Sequence, residues 1–121
     1  MNKLTGVTEE RFYPASTFRG LRRLPFLVWA RNNAYHYLAL GPDYVRIRVL
    51  RTRRILLEKV ERIDYQRFGG HLFTFLVKGS LATYGTGFYD LELARQFARA
   101  LQSRGASVGE SVIRLLDEIP E

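Results

Sequence analysis

Cysteine is absent from this chain, so there is no disulfide framework, no thiolate metal site and no cysteine nucleophile. Histidine is nearly absent too: only His36 and His71 occur, and no HExxH, H-x-H or EF-hand-like spacing supplies metal ligands. Neither GxxxxGK[ST] nor GxGxxG is present, and Gly85-Thr-Gly87 runs into Asp90, an acid that would repel a phosphate from the helix start. No apolar run approaches a membrane span; Leu24 to Ala30 is short and interrupted at Pro25. Met1 to Glu10 is mostly polar and reads as no signal core. With no base, nucleophile or metal set at usable spacing, the expectation is a chain with no catalytic residues, no metal and no cofactor. The carboxylates Asp43, Glu58, Glu61 and Asp64 stand beside basic residues and read as surface ion pairs.

Acid is also missing where base is abundant. Residues 11–54 carry ten arginines and one acid, Asp43, while the flanking segments are each close to neutral. The whole formal net charge of +7 therefore originates in the first half. Such a field attracts phosphates, anionic headgroups or an acidic protein. At 121 residues, with 46% apolar content, 8 Phe and 7 Tyr, the chain fits one folded domain with a real core. No internal repeat or low-complexity tract appears.

Turn residues divide the chain into short segments. Residues 1–15 show no periodicity and read as an irregular arm, and Ser16 to Leu24 has the spacing of a short helix with Ser16 as its cap. From Phe26 to Tyr89 the pattern is strands: Phe26 to Arg31, an Asn32-Asn33 turn, Ala34 to Leu40, a Gly41-Pro42-Asp43 turn, and Tyr44 to Leu50. A two-residue loop at Pro42-Asp43 sets Leu40 opposite Val45, Leu38 opposite Ile47 and His36 opposite Val49. Ala39 and Tyr37 then face Arg46 and Arg48 on the other side. Arg51 to Arg54 reads as an exposed basic turn, and Ile55 to Glu58 and Glu61 to Arg67 follow as two strands or as one bent strand. His71 to Lys78, apolar on both faces, should be covered on both, and His71 itself should be solvated beside its Gly-Gly turn. Leu81 to Tyr89 is the last strand, weakened by Gly85 and Gly87.

The period then becomes helical. Asp90 caps a stripe of Leu91, Ala94, Phe97, Ala98 and Leu101, with Glu92, Arg95, Gln96, Arg99 and Gln102 opposite and Gly105 at the stop. Ser107-Val-Gly-Glu110 has a capping-box pattern that opens a second helix through about Asp117. Its apolar stripe needs a surface, either the barrel or a neighbouring subunit. The resulting class is α+β: about seven antiparallel strands as an open barrel or sheet pair, a C-terminal amphipathic helix over about 90–104 and a short extra helix over about 108–118. The organisation reads as an arm over 1–25, a central domain over 26–105 and a helical extension over 106–121.

The segments Tyr37-Leu-Ala-Leu-Gly-Pro-Asp-Tyr44, Arg53-Arg-Ile-Leu-Leu-Glu-Lys-Val-Glu-Arg-Ile63 and Gly87-Phe-Tyr-Asp-Leu-Glu-Leu-Ala-Arg-Gln-Phe97 carry a family likeness. In pattern and element order, residues 26–104 resemble the bacterial PH-like (pleckstrin-homology-like) domains. The resemblance implies an interaction domain, in a family that binds peptides and oligomerises. Phosphoinositide binders of the wider family use basic residues around a long first hairpin loop. Here that loop is Asn32-Asn33 alone, so their specificity does not carry over.

The candidate anion- or partner-binding residues are Tyr35, Tyr37, Arg46, Arg48, Arg51, Arg53 and Arg54, since guanidiniums grip phosphates in pairs and tyrosines sit at headgroup interfaces or stack on bases. The expected function is non-enzymatic: self-association, or docking on a protein or an anionic membrane surface from the cytoplasm. The alternative is a nucleic-acid-binding module using the Tyr/Arg sheet face, though no RNA-recognition sheet motif is present.

Overall fold

Apolar residues at every second position of Tyr44-Val-Arg-Ile-Arg48 can be buried only if the segment is extended, and Val45 and Ile47 are indeed sealed while Arg48 is exposed. The computed structural model describes residues 9–21, 28–32, 37–49, 51–67 and 70–117. Its strands are β1 (Glu10–Phe12), β2 (Ser16–Leu21), β3 (Val28–Asn32), β4 (Tyr37–Leu40), β5 (Tyr44–Arg48), β6 (Thr52–Leu56), β7 (Val60–Arg67), β8 (His71–Val77) and β9 (Ala82–Phe88). Helices α1 (Leu91–Ser103) and α2 (Glu110–Asp117) follow. Two antiparallel sheets result, in the orders β3-β2-β9-β8-β7 and β1-β4-β5-β6. The class is α+β, as the sequence implies, but the described residues hold nine strands rather than seven.

The β4–β5 register is the one the apolar pattern demands: Leu40 opposite Val45, Ala39 opposite Arg46, Leu38 opposite Ile47 and Tyr37 opposite Arg48. His36, Tyr35 and Asn33 lie outside the described residues, while Asn32 closes β3 and is paired with Thr17.

Both additional strands come from the segment read as arm and helix. Ser16–Leu21 is β2, not a helix, and pairs along its whole length with β9. A short helix is marginal by itself, whereas between β3 and β9 the segment pairs on both sides, along its whole length with β9 and over Thr17–Gly20 with β3. Thr17 also donates its hydroxyl to the Arg48 carbonyl, tying one sheet to the other. The arm contributes β1, which pairs with β4 and sends Phe12 into the core.

Ile55–Glu58 and Glu61–Arg67 are not one bent strand. A 3₁₀ turn at Leu57–Lys59 separates β6 from β7, which belong to different sheets, and the Leu57 amide donates to the Asp43 carbonyl at 2.8 Å. The basic turn is correspondingly shorter, because Thr52–Leu56 pairs with β5. His71 is not simply solvated: its Nδ1 lies 2.7 Å from the Tyr65 hydroxyl.

The glycines of β9 are not mere weak points. A Cβ on Gly85 would stand 2.1 Å from Phe18 Cε1, so only glycine lets that ring lie across the strand. Gly85→Ala should cost about 1 to 3 kcal/mol in urea unfolding, and Phe18→Leu in the same chain should restore part of the loss.

Helix α1 forms as the stripe requires. The Asp90 carboxylate accepts from the Glu92 amide at 2.8 Å, and Ala94, Phe97, Ala98 and Leu101 are buried. Gly105, at φ +76, ends it: its amide donates to Gln102 and that of Ala106 to Leu101, a Schellman pair. Arg95, assigned by periodicity to the outer side, is only 4% exposed. Helix α2 begins at Glu110 rather than behind a Ser107 cap, because Ser107 accepts the Ile63 amide and Gly109 donates back to the Ile63 carbonyl. One hydrophobic cluster joins Phe12, the inner faces of both sheets, α1, and Val112 and Leu115 of α2.

Candidate anion-binding sheet face

The four-stranded sheet buries one face and turns the other outward. Across that outer face runs a row set by register: Arg11 opposite Ala39, Ala39 opposite Arg46, and Arg46 opposite Arg54. Ala39 is fully buried beneath its long neighbours. The adjacent row sets Tyr37 opposite Arg48 and Arg48 opposite Thr52. Like charges directly opposite each other repel. Two devices offset this for Arg46 and Arg54. Both guanidiniums lie near the Tyr44 ring, at 5.6 and 5.3 Å from its centroid. Arg46 also meets the Glu9 carboxylate, Nε to Oε2 at 3.1 Å.

Glu9 is the hub of this face. Its Oε2 accepts from the Tyr44 hydroxyl at 2.8 Å, and its Oε1 from the Tyr37 hydroxyl at 3.3 Å. The Tyr44 phenol is held above its ordinary pKa, first by the hydrogen bond to Glu9, then by burial and by the Glu9 charge, against the lowering pull of Arg46 and Arg54. Arg11 stacks over Tyr37 at 4.2 Å.

Tyr37, Arg46, Arg48 and Arg54 are therefore brought together on one face. Arg51 and Arg53 stand elsewhere, lining with Arg19, Val49 and Tyr84 a cavity of about 160 Å³. Arg19 lies over the Tyr84 ring there at 4.3 Å. Arg53 and Arg54 border a wider cavity of about 330 Å³ with Lys59 and Tyr84. Tyr35 falls outside the described residues.

Glu9, Arg11 and Tyr44 also belong to the face, and the sequence reading missed them. Glu9 and Arg11 were assigned to an irregular arm. The signal available was the alternation Glu10-Arg-Phe12, too short to stand as a strand until β4 offers its edge.

Among the described residues no group of three or more His, Asp or Glu side chains is placed to hold a metal ion, and no helix is long and apolar enough to cross a membrane. In comparisons with known proteins, no family model and no curated protein matches this chain.

Proposed function

We propose that the chain is a non-enzymatic, PH-like interaction domain that docks on an anionic membrane surface through its basic sheet face, working in the cytoplasm as a peripheral protein. The observation that carries this reading is the gathering of Arg11, Arg46, Arg48 and Arg54 on one sheet face against a single carboxylate among the described residues, Glu9. Two antiparallel sheets followed by an amphipathic C-terminal helix fit a PH-like arrangement. Arg51, Arg53 and Lys59 line cavities beside β6, the edge strand of the same sheet, and add positive charge there.

Two other readings receive less support. Self-association rested partly on the apolar stripe of the last helix, but Val112 and Leu115 are covered within the chain itself. Nucleic-acid binding calls for Tyr35 and Tyr37 to stack on bases; Tyr35 lies outside the described residues, and the Tyr37 ring is covered by Arg11 with its hydroxyl directed to Glu9.

Each basic side chain near an anionic surface contributes about 1 kcal/mol, and salt weakens the attraction by shortening the screening length. The chain should therefore pellet with phosphatidylserine vesicles at low salt, leave them at high salt and ignore phosphatidylcholine vesicles. Arg48→Glu reverses one exposed charge and should weaken binding about thirtyfold, by about 2 kcal/mol. Arg114→Glu makes the same charge change on α2 and should act far less. Equal pelleting with neutral vesicles, or an equal loss from both substitutions, contradicts the proposal.

A further inference from the structure

We infer that Tyr37, Tyr44 and Arg46 form a receptor for one anionic group, a carboxylate or a phosphate, which Glu9 fills in the resting fold. The inference rests on the docking proposal for the source of the ligand, but not for the existence of the site.

Three donors from neighbouring strands converge on two oxygens: the Tyr44 hydroxyl and Arg46 Nε on Oε2, the Tyr37 hydroxyl on Oε1, all within 2.8 to 3.3 Å. That is the donor geometry by which proteins grip carboxylates and phosphates. An ion pair alone would need only Arg46. Two phenol hydroxyls, which water would otherwise satisfy, add directional donors at fixed positions on the sheet.

The two halves of the contact differ in how firmly they are held. Tyr37, Tyr44 and Arg46 are fixed by strand pairing and by a buried inner face, with Leu38, Val45 and Ile47 in the core beneath. Glu9 stands just ahead of the three-residue edge strand β1 and reaches the site through its side chain. Rotation about its side-chain bonds vacates the site without unpairing β1, whose anchor is Phe12. Arg11 over Tyr37 and Arg54 near Tyr44 keep the emptied site cationic. A phosphate carries more charge and more acceptor oxygens than a carboxylate, so it can replace Glu9 where a carboxylate would merely exchange with it. An approaching anionic surface also repels Glu9, which favours the exchange.

Titration with inorganic phosphate, followed by NMR at the Arg46 Nε–H and the Tyr44 ring, tests the site directly. Glu9→Ala should bind phosphate about tenfold more tightly than the unaltered chain, the equivalent of one charge-assisted hydrogen bond freed. Glu10→Ala makes the same charge change, but Glu10 pairs with Arg104 instead, so it should bind as the unaltered chain does. Adding Tyr44→Phe to Glu9→Ala should remove most of the gain. Glu9→Gln keeps an acceptor for the tyrosines and should still show increased uptake, which guards against loss of β1 in the alanine variant. Equal uptake by Glu9→Ala and Glu10→Ala, or shifts confined to other arginines, overturns the receptor. Phosphatidic acid vesicles separate the sources. If Glu9→Ala takes up phosphate while the unaltered chain and both variants fail to pellet with these vesicles, the receptor stands for free phosphate and the membrane proposal fails. If both variants pellet equally and no phosphate uptake is specific to Glu9→Ala, the membrane proposal stands and the receptor fails.

Discussion

Replacing Phe97 by alanine should destabilise the fold by about 3 to 5 kcal/mol, a large part of the about 5 to 15 kcal/mol that a domain of this size has in total. The ring is fully buried, and four other phenylalanines surround it: Phe12 at 5.1 Å, Phe73 at 5.2 Å, Phe88 at 5.4 Å and Phe75 at 6.2 Å between centroids. Three of these approach edge-on, which adds to the area buried. The partners come from β1, β8 and β9, so one side chain of α1 holds the arm, the five-stranded sheet and the helix together. A cavity at that point cannot close from one side. Phe97→Leu keeps most of the volume and should cost far less. Urea unfolding followed by circular dichroism gives both numbers, and a loss below about 1 kcal/mol for the alanine variant would mean that the cluster is not packed as described. The same cavity loosens Phe12, and with it β1 and Glu9. The variant should therefore also change the basic face, a coupling that a remote surface substitution cannot produce.

What the sequence disclosed follows from which interactions are local. The β4–β5 register was legible because a one-residue slip puts Leu38 beside Arg46, and the correct register separates Leu38, Leu40, Val45 and Ile47 from Arg46 and Arg48. Helix α1 was legible because its start, stripe and stop lie within sixteen residues of each other, from Asp90 to Gly105. Ser16–Leu21 was misread for the opposite reason. Phe18 and Leu21 have helical spacing, and the partner that makes the segment a strand, β9, lies more than sixty residues away, as Thr17 opposite Thr86 shows. Ser107 was read as a cap because the local pattern matches one, while the competing acceptor use, the Ile63 amide, is equally remote. The candidate site was half legible. Arg46, Arg48 and Tyr37 share a face by alternation alone, but Arg54, read as part of a turn, joins them only when β6 pairs with β5, and Glu9, which orders the face, becomes visible only when β1 docks on β4.

Removing residues 106–121 should cost on the order of 5 kcal/mol, from two buried side chains at about 1.5 to 3 kcal/mol each and several edge hydrogen bonds at about 1 kcal/mol each, less the ordering entropy that is recovered. By composition this stretch is an appendage to a domain that ends near Gly105. In the fold it covers an edge. β7 is the last strand of the five-stranded sheet, and its outer side is met by Ser107 and Gly109 at Ile63, by the Ser111 hydroxyl at the Tyr65 amide, and by a parallel bridge from Ile63 to Val108. Val112 and Leu115 then fill the core beside α1. An uncovered edge is a template for pairing with another chain, and β7 is eight residues long. The shortened chain should accordingly unfold at much lower urea and, where it remains folded, elute at a size that grows with concentration. Leu115→Ala in the full chain should lose about 2 to 4 kcal/mol with no change in elution size relative to the unaltered chain, because the Ser107–Gly109 segment still covers the edge. The two variants separate packing from edge protection: equal self-association in both would mean that the core contact of α2, not the backbone pairing of residues 107–109, keeps β7 from a second copy.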